Sequence, residues 1–154
     1  MNGRRVLLVD DEVVFTENMT TLLTSRGYQI KAVNSGDSAI RALESDDFDV
    51  VVLDLKMPGM DGMETLKEIK KLGLFTETLI LTGHGAVDTA LEAMKLGAYD
   101  YLTKPCEVDE LVEKLEGARS KKTQRSSKDM ESKLKRVVES PRSALSLFSK
   151  KKGI

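Results

Sequence analysis

Short runs of apolar residues recur along the chain, and each ends in polar or turn residues. The runs at 6–9 and 50–53 contain only Val and Leu, without the alternation that a half-exposed strand shows. Uninterrupted runs of this kind are typical of strands covered on both faces, as in a parallel sheet flanked by helices. Further segments at 28–33, 78–81 and 99–103 predict three more strands.

Between the strands, apolar residues recur at spacings of three and four, which is the period of an amphipathic helix. In the first such segment Phe15, Met19 and Leu22 share one face. Strict alternation of strand and helix predicts right-handed crossovers, and therefore an α/β fold with a doubly wound five-stranded parallel sheet flanked by five helices. The five helical segments lie at 15–23, 39–43, 63–72, 87–94 and 108–115.

Four of the five predicted strands run directly into a residue with a reactive or charged side chain. Asp10 and Asp11 follow the first strand, Asp54 the third, Thr82 the fourth and Lys104 the fifth. The carboxyl ends of parallel strands meet at one edge of a sheet, where such folds bind their ligands. We therefore expect these side chains to lie together. The second strand ends without such a group, so we expect it at the edge of the sheet.

The expected cluster contains three carboxylates, and each pair repels by about 4 kcal/mol at a separation of about 4 Å and an effective dielectric constant of about 20. Oxygen ligands suit a hard cation that keeps several waters, so we predict a Mg²⁺ site. Lys104 lowers the net charge and can pair with an incoming anion, and Thr82 can donate a hydrogen bond to it. This combination suits a site that receives a phosphoryl group, with a carboxylate as the nucleophile.

Size and composition limit the classes of protein to which the chain can belong. Its 154 residues suit one domain with one core. No apolar stretch approaches the roughly 20 residues of a membrane span. The single cysteine, Cys106, excludes an internal disulfide and suits a reducing compartment. We therefore expect a cytoplasmic protein without a transmembrane segment.

Charge is distributed unevenly along the chain. Residues 1–118 hold 12 Lys/Arg and 22 Asp/Glu, a net charge of −10, whereas residues 119–154 hold 12 and 3, a net charge of +9. Such a change often marks a boundary between parts with different partners. We therefore divide the chain into a domain at 1–119 and a basic C-terminal extension at 120–154.

Five short motifs stand in register with the predicted strands and helices. The motifs are Asp10-Asp11, Asp54 with Lys-Met-Pro-Gly-Met-Asp-Gly at 56–62, Thr-Gly-His-Gly at 82–85, Gly-Ala-Tyr-Asp-Tyr at 97–101, and Lys104-Pro105. With them, the chain resembles the receiver domain of two-component response regulators from about Arg4 to Arg119, and is similar to the receivers of NtrC- and FixJ-type regulators without their effector domains. The resemblance implies a flavodoxin-like fold with strand order 2-1-3-4-5 and a role in phosphorelay signal transduction.

The resemblance also implies roles for the acidic residues. Asp54 would be the phosphoacceptor. Mg²⁺ would be bound directly by Asp11 and Asp54, through the backbone carbonyl of Lys56, and by Asp10 through water. The donor would be a histidine kinase or a histidine phosphotransfer protein. The reaction would be self-phosphorylation with slow autodephosphorylation, so the chain would not be an enzyme that turns over a substrate.

The remaining site residues follow from the same resemblance. Thr82 and Lys104 would contact the phosphoryl oxygens. Tyr101 would be the aromatic switch that turns inward when Thr82 is drawn to the phosphate, and a plain core role for Tyr101 is the alternative. We also predict that Lys56 and His84, each two residues after a site residue, tune the hydrolysis.

Two alternatives to a receiver that signals through protein contacts stay open. The first is a small aspartyl-phosphate phosphatase, although Asp54-Leu55-Lys56 lacks the second acid of the Asp-x-Asp motif of haloacid-dehalogenase-like phosphatases. The second is a receiver whose basic extension at 120–154 contacts DNA or a membrane directly. The downstream protein target is unknown, and a homodimer that forms on phosphorylation is compatible with the sequence.

The extension contains two stretches with helical spacing. Met130, Leu134 and Val137 follow Ser127, a candidate N-cap, and a second short helix is predicted from Ser140-Pro141 onward. Helices of this length are marginal unless they dock. Three roles for the extension are therefore compatible with the sequence. It could be a partly disordered tail. It could be a docking or dimerisation segment, which could also lie against its own acidic domain, or a basic segment that contacts nucleic acid or a membrane.

Overall fold

The computed structural model describes residues 4–57, 59, 61–83 and 87–139 of the chain. Strands and helices alternate strictly along it, as the sequence predicts. The elements in chain order are β1 (Arg5–Val9), α1 (Val13–Ser25), β2 (Gln29–Val33), α2 (Gly36–Ser45), β3 (Val50–Leu53), α3 (Gly62–Lys71), β4 (Glu77–Thr82), α4 (Val87–Lys95), β5 (Asp100–Thr103) and α5 (Val108–Glu139).

The five strands form one parallel sheet in the order β2-β1-β3-β4-β5. The predicted fold class and strand order are therefore confirmed, and β2 lies at one edge of the sheet as expected. The register places Val9 beside Leu53, and Leu53 beside Ile80. Asp10 and Asp54, which follow β1 and β3, and Thr82, the last residue of β4, consequently lie at the same edge of the sheet.

Apolar residues cover both faces of the sheet, which is why all four residues of β3 are buried. On one face Leu53 belongs to a core with Leu66 and Ile69 of α3. On the other face Val52 belongs to a core with Leu111 of α5. Burial of each large apolar side chain stabilises the fold by about 1.5–3 kcal/mol, so these two cores hold the strand that carries Asp54 in place.

The α5 helix is longer than the sequence analysis predicted. We predicted one helix at 108–115 and another that begins behind Ser127, but α5 runs without a break from Val108 to Glu139. The expected N-cap role of Ser127 is therefore wrong. Residues 118–139 contain no Gly or Pro to end a helix, and two basic side chains in this stretch are held by acids of the domain.

These two basic side chains meet acids at the amino-terminal ends of β3 and β4. Lys122 Nζ lies 3.1 Å from Oδ1 of Asp49, and Arg125 forms an ion pair with Glu77, whose side chain is 1% exposed. The Arg125 guanidinium also lies 5.7 Å from the centroid of the Phe75 ring. The first turns of the basic extension therefore lie against the acidic domain, which is one of the arrangements expected from the charge distribution.

The division at 119–120 falls inside α5, because the helix is continuous there. Residues 140–154, including the helix predicted from Ser140-Pro141 onward, lie outside the described residues. Within the described part of the chain, no helix is both long and apolar enough to cross a membrane.

Candidate functional site

The carboxyl edge of the sheet brings together four polar side chains from four strands. Thr82 Oγ1 donates a hydrogen bond of 3.0 Å to Oδ1 of Asp54. Lys104 Nζ lies 2.6 Å from Oδ2 of Asp10 and 3.7 Å from Oδ2 of Asp54. The structure therefore confirms the predicted proximity of four side chains, those of Asp10, Asp54, Thr82 and Lys104.

Asp54 is buried, and its two carboxylate oxygens differ in their contacts. Oδ1 accepts hydrogen bonds from the Thr82 hydroxyl at 3.0 Å and from the Lys56 N–H at 3.1 Å. Oδ2 faces Lys104 at 3.7 Å, which is longer than a hydrogen bond. One oxygen thus fixes the orientation of the carboxylate, and the other is the better candidate for bond formation.

Lys104 is the cation of the cluster, and its side chain is 14% exposed. Its Nζ lies 2.7 Å from Oε1 of Glu12 as well as 2.6 Å from Asp10, and 4.3 Å from the centroid of the Phe15 ring. Burial lowers the pKa of Lys104, but the hydrogen bonds to Asp10 and Glu12 and the negative charges of Asp10 and Asp54 together outweigh burial and leave the pKa above its ordinary value. The lysine is therefore a firmly charged ammonium at neutral pH. The Lys104-Pro105 peptide bond is cis.

Asp10 is the most deeply buried acid that contacts Lys104. Burial raises the pKa of Asp10, and the nearby Asp54 charge adds to the rise, whereas hydrogen bonds from Lys104 and the Glu12 N–H oppose it. The pKa of an aspartate is ordinarily about 3.9, and the ammonium partner is charged. We therefore treat the Asp10–Lys104 pair as ionised at neutral pH, at the cost of crowding two carboxylates together.

Three acids could hold a cation among the described residues. Asp10, Glu12 and Asp54 each present a carboxylate oxygen, and these three oxygens lie within 4.8 Å of one another. An all-oxygen donor set of this kind fits a hard divalent cation. Asp11 is exposed and is not part of this group, so its predicted direct ligation of Mg²⁺ stays a prediction.

Glu12 is a site residue that the sequence analysis missed. It follows Asp10 and Asp11 in an unbroken acidic run at the end of the first strand, and this run was the available signal. No motif singles out Glu12 within this run, and its position directly before α1 is compatible with a solvated acid at a helix start. The structure instead directs its carboxylate to Lys104.

Three further residues were predicted to act at the site: Tyr101, Lys56 and His84. Tyr101 is half-buried on β5 and packs against the core on the α3 side of the sheet, which suits both roles considered for it. Lys56 has an exposed side chain and donates its N–H to Asp54. His84 lies outside the described residues.

Gly62 is the last residue of the motif at 56–62, and the structure shows why a glycine is needed there. It is the first residue of α3, and its N–H donates to the Leu55 carbonyl at 3.1 Å. A Cβ at this position would meet the Leu55 Cα and would lie 2.5 Å from the carbonyl oxygen of Asp54. The start of α3 therefore packs directly on the backbone that carries the buried carboxylate, and only glycine leaves room for this contact.

Fold and site together define a doubly wound α/β protein with a cluster of acids that could hold a cation and a lysine at the carboxyl edge of its sheet. The family model described as "Response regulator receiver domain" matches residues 6–116. The chain therefore belongs to the response regulator receiver domain family, and the resemblance noted in the sequence is confirmed.

Individual relatives and structures agree with this family. The transcriptional regulatory protein ZraR of Escherichia coli (strain K12) is 42% identical over 113 residues, which cover 73% of this chain and 26% of ZraR. FixJ of Bradyrhizobium diazoefficiens is 40% identical over 113 residues, which cover 73% of this chain and 55% of FixJ. The chain thus spans about a quarter of ZraR and about half of FixJ.

A similar solved structure is the response regulator receiver domain protein from Clostridium thermocellum. It is 36% identical to this chain, with a TM-score of 0.74, and the match covers 78% of this chain and 97% of that one. The similarity therefore extends over nearly the whole of that receiver domain.

Proposed function

We propose that the chain is a phosphorylation-activated receiver that accepts a phosphoryl group on Asp54. The geometry of Asp54 carries the proposal. Its Oδ1 is held by the Thr82 hydroxyl and the Lys56 N–H, and its Oδ2 faces the Lys104 ammonium at 3.7 Å. A buried carboxylate with one fixed and one uncommitted oxygen is suited to act as a nucleophile. Membership of the receiver family supports the same assignment.

The phosphoryl donor in this proposal is a phosphohistidine of a histidine kinase or a histidine phosphotransfer protein. Asp54 Oδ2 forms the new P–O bond as the P–N bond to the imidazole breaks, and the electron pair stays on the imidazole nitrogen. The product is an acyl phosphate on Asp54, which water hydrolyses slowly to restore the carboxylate. The chain therefore modifies itself and does not turn over a substrate. Its single free cysteine, Cys106, suits a cytoplasmic setting.

Phosphoryl transfer depends mainly on positioning and on neutralisation of charge. The Lys104 ammonium and the Thr82 hydroxyl, 3.7 Å and 3.0 Å from the Asp54 carboxylate, would contact the phosphoryl oxygens. Lys56 and, as predicted from the sequence, His84 would influence how easily water attacks the acyl phosphate.

Mg²⁺ is the cofactor in this proposal, held by Asp10 and Asp54, by Asp11 or Glu12, and by the Lys56 carbonyl. When bound, it would neutralise negative charge on the transferring phosphoryl group. The fit rests on the donor set, since three carboxylate oxygens lie within 4.8 Å of one another. Asp10 through water and Asp11 directly are the ligands that the family resemblance favours.

Thr82 connects the modification to the conformation of the sheet. In the unmodified protein its hydroxyl donates to Asp54 Oδ1 at 3.0 Å. A phosphoryl group adds a charge of about −1.5 to −2, so the hydroxyl would turn to a phosphoryl oxygen instead. Tyr101, half-buried on the neighbouring strand β5, is the side chain proposed to respond to this shift.

The output in this proposal is a protein contact rather than a contact with nucleic acid. Met130, Leu134 and Val138 form an exposed apolar row at spacings of four on α5, with exposed fractions of 48%, 52% and 82%. Such a row suits packing against another helix, and a second copy of the chain is the simplest partner. Phosphorylated and unphosphorylated protein should then differ in size by light scattering. Salt-dependent retention on DNA that is lost on truncation at Ser120 would favour the DNA alternative instead.

The proposed modification can be tested by intact-mass measurement after incubation with acetyl phosphate, with and without Mg²⁺. We expect one added phosphoryl group that depends on Mg²⁺ and is absent from Asp54→Asn. Equal labelling of Asp54→Asn would contradict the proposal. Continued hydrolysis of a small phosphate ester over many turnovers would favour the phosphatase alternative.

A further inference from the structure

Glu12 occupies the N-cap position of α1, yet its side chain does not cap the helix. N-caps are usually Ser, Thr, Asp or Asn, whose short side chains accept from the first N–H groups of the helix. The carboxylate of Glu12 instead reaches the ammonium of Lys104, with Oε1 at 2.7 Å from Nζ. A capping contact is thus absent at this helix end, and in its place a contact spans 92 residues of sequence.

The contacts of Lys104 leave it displaced from Asp54. An ammonium has three donors, and two of them are used by Asp10 at 2.6 Å and Glu12 at 2.7 Å. Asp54 Oδ2 lies farther away, at 3.7 Å. The ammonium is therefore held toward the end of β1 and the start of α1, away from the carboxylate that would be modified.

The two acids that hold Lys104 differ in how easily they can release it. The Asp10 side chain is 2% exposed, so it has little access to water as a replacement partner. The Glu12 side chain is 61% exposed, so its carboxylate can be solvated as soon as the ammonium moves. Partly exposed ion pairs are weak, because water screens their charges and solvates each partner when they separate. Glu12 is therefore the contact that can be broken and remade.

We propose that Glu12 is a positioning residue that holds Lys104 away from Asp54 until a phosphoryl group forms there, and so slows phosphorylation of the resting protein. This inference rests on the proposed function, because it assumes that Lys104 contacts the phosphoryl group. It assigns to Glu12 a role that acts through Lys104 and does not require Glu12 to touch the reacting atoms.

The test compares Glu12→Gln with Glu17→Gln. Glu17 lies on the same helix with an exposed side chain and has no ion pair among the described residues, so its substitution removes the same charge without touching Lys104. The probe is phosphoramidate with Mg²⁺, and the rate of phosphorylation is followed by intact mass. We expect Glu12→Gln to react about threefold faster than wild type, in line with the strength of an exposed pair, and Glu17→Gln to match wild type within about 1.5-fold. An increase below about 1.5-fold in Glu12→Gln, or an equal increase in Glu17→Gln, would overturn the proposal.

Two further measurements separate this role from others. Crystal structures of unphosphorylated wild type and unphosphorylated Glu12→Gln show the position of Lys104 directly. In Glu12→Gln we expect Lys104 Nζ to move to hydrogen-bonding distance of Asp54 Oδ2. The same Nζ position in both structures would overturn the proposal. Calorimetric titration with Mg²⁺ shows whether Glu12 is mainly a metal ligand, and a loss of affinity greater than about tenfold, or 1.4 kcal/mol, would also overturn it. If wild type is not phosphorylated at all, the proposed function fails, whereas the Lys104 position still tests the contact with Glu12.

Discussion

Substitution of Gly62 by alanine tests how closely α3 is packed on the backbone of the site. The new Cβ would meet the Leu55 Cα and would lie 2.5 Å from the Asp54 carbonyl oxygen and 2.8 Å from the Leu55 carbonyl carbon. Ordinary contacts between non-bonded carbon atoms are about 3.5–4.0 Å. Because all three neighbours are backbone atoms, no side-chain rotation can relieve the clash, and the start of α3 must move by about 1 Å or more.

The expected cost follows from this geometry. Overpacking of a well-packed site typically costs about 1–3 kcal/mol. In a chain of this size each kcal/mol lowers Tm by about 2–4 °C, so we expect Gly62→Ala to lower Tm by about 3–10 °C. The displaced backbone carries Asp54, and a shift of about 1 Å at a reacting group can cost about a hundredfold in rate. We therefore expect phosphorylation by acetyl phosphate to fall at least about tenfold.

Gly83→Ala is the matched control. Gly83 follows Thr82 directly, its φ is not in the left-handed region, and among the described residues no heavy atom lies within 4 Å of its added Cβ. Calorimetry and intact-mass kinetics on both variants separate a clash at the site from a general effect of replacing glycine near it. If Gly62→Ala has the Tm and the phosphorylation rate of Gly83→Ala, the packing argument is refuted.

Two further predictions concern stability away from the site. Burial and, after it, the hydrogen bond to Glu116 raise the pKa of Tyr28 well above its ordinary value. The contribution of the protonated Tyr28 to the free energy of unfolding is therefore fully present below the pKa of the unfolded state, about 10, and is lost as the pH rises above it. Tyr28→Phe should therefore leave the phenolate absorbance of the folded protein at about pH 10.5 unchanged, and a lower absorbance in the variant would contradict the assignment. Arg125→Gln removes the ion-pair partner of Glu77; the Glu77 side chain is 1% exposed and that of Arg125 is 42% exposed. Because solvent screens the exposed arginine, we expect the free energy of unfolding in urea to fall by only about 1–2 kcal/mol. We also expect faster hydrogen exchange across 120–139. The exposed Lys128, which has no ion pair among the described residues, provides the control Lys128→Gln, and equal exchange in the two variants would contradict the anchoring of α5 by Glu77.

Much of the fold was readable from the sequence because its signals are local. The Val and Leu run of Val50–Leu53 predicts a strand covered on both faces, and all four residues are buried. The meeting of Asp54, Thr82 and Lys104 followed from a topological rule, since parallel strands end at the same edge of a sheet. Their proximity is confirmed, while their chemical roles stay predictions until phosphorylation is measured.

The features that the sequence did not reveal depend on contacts between distant residues. Arg125 of α5 pairs with Glu77, 48 residues away, and nothing in either segment selects that partner. Glu12 is only the last residue of an acidic run in the sequence, and its role depends on the fold, which brings Lys104 within 2.7 Å of it. Gly62 belonged to a recognised motif, but the lack of space for a Cβ became visible only once α3 was placed against Leu55.

The most direct test of the central claim is to locate the phosphoryl group in the chain. An acyl phosphate is reduced by borohydride to an alcohol, so treatment of the phosphorylated protein should convert one aspartate to homoserine, and peptide mass analysis then identifies it. We predict homoserine at Asp54 alone, and only in protein incubated with both the phosphodonor and Mg²⁺. Homoserine at Asp10 or Asp11, or a borohydride-resistant phosphate on any other residue with Asp54 unchanged, would contradict the assignment of Asp54 as the acceptor.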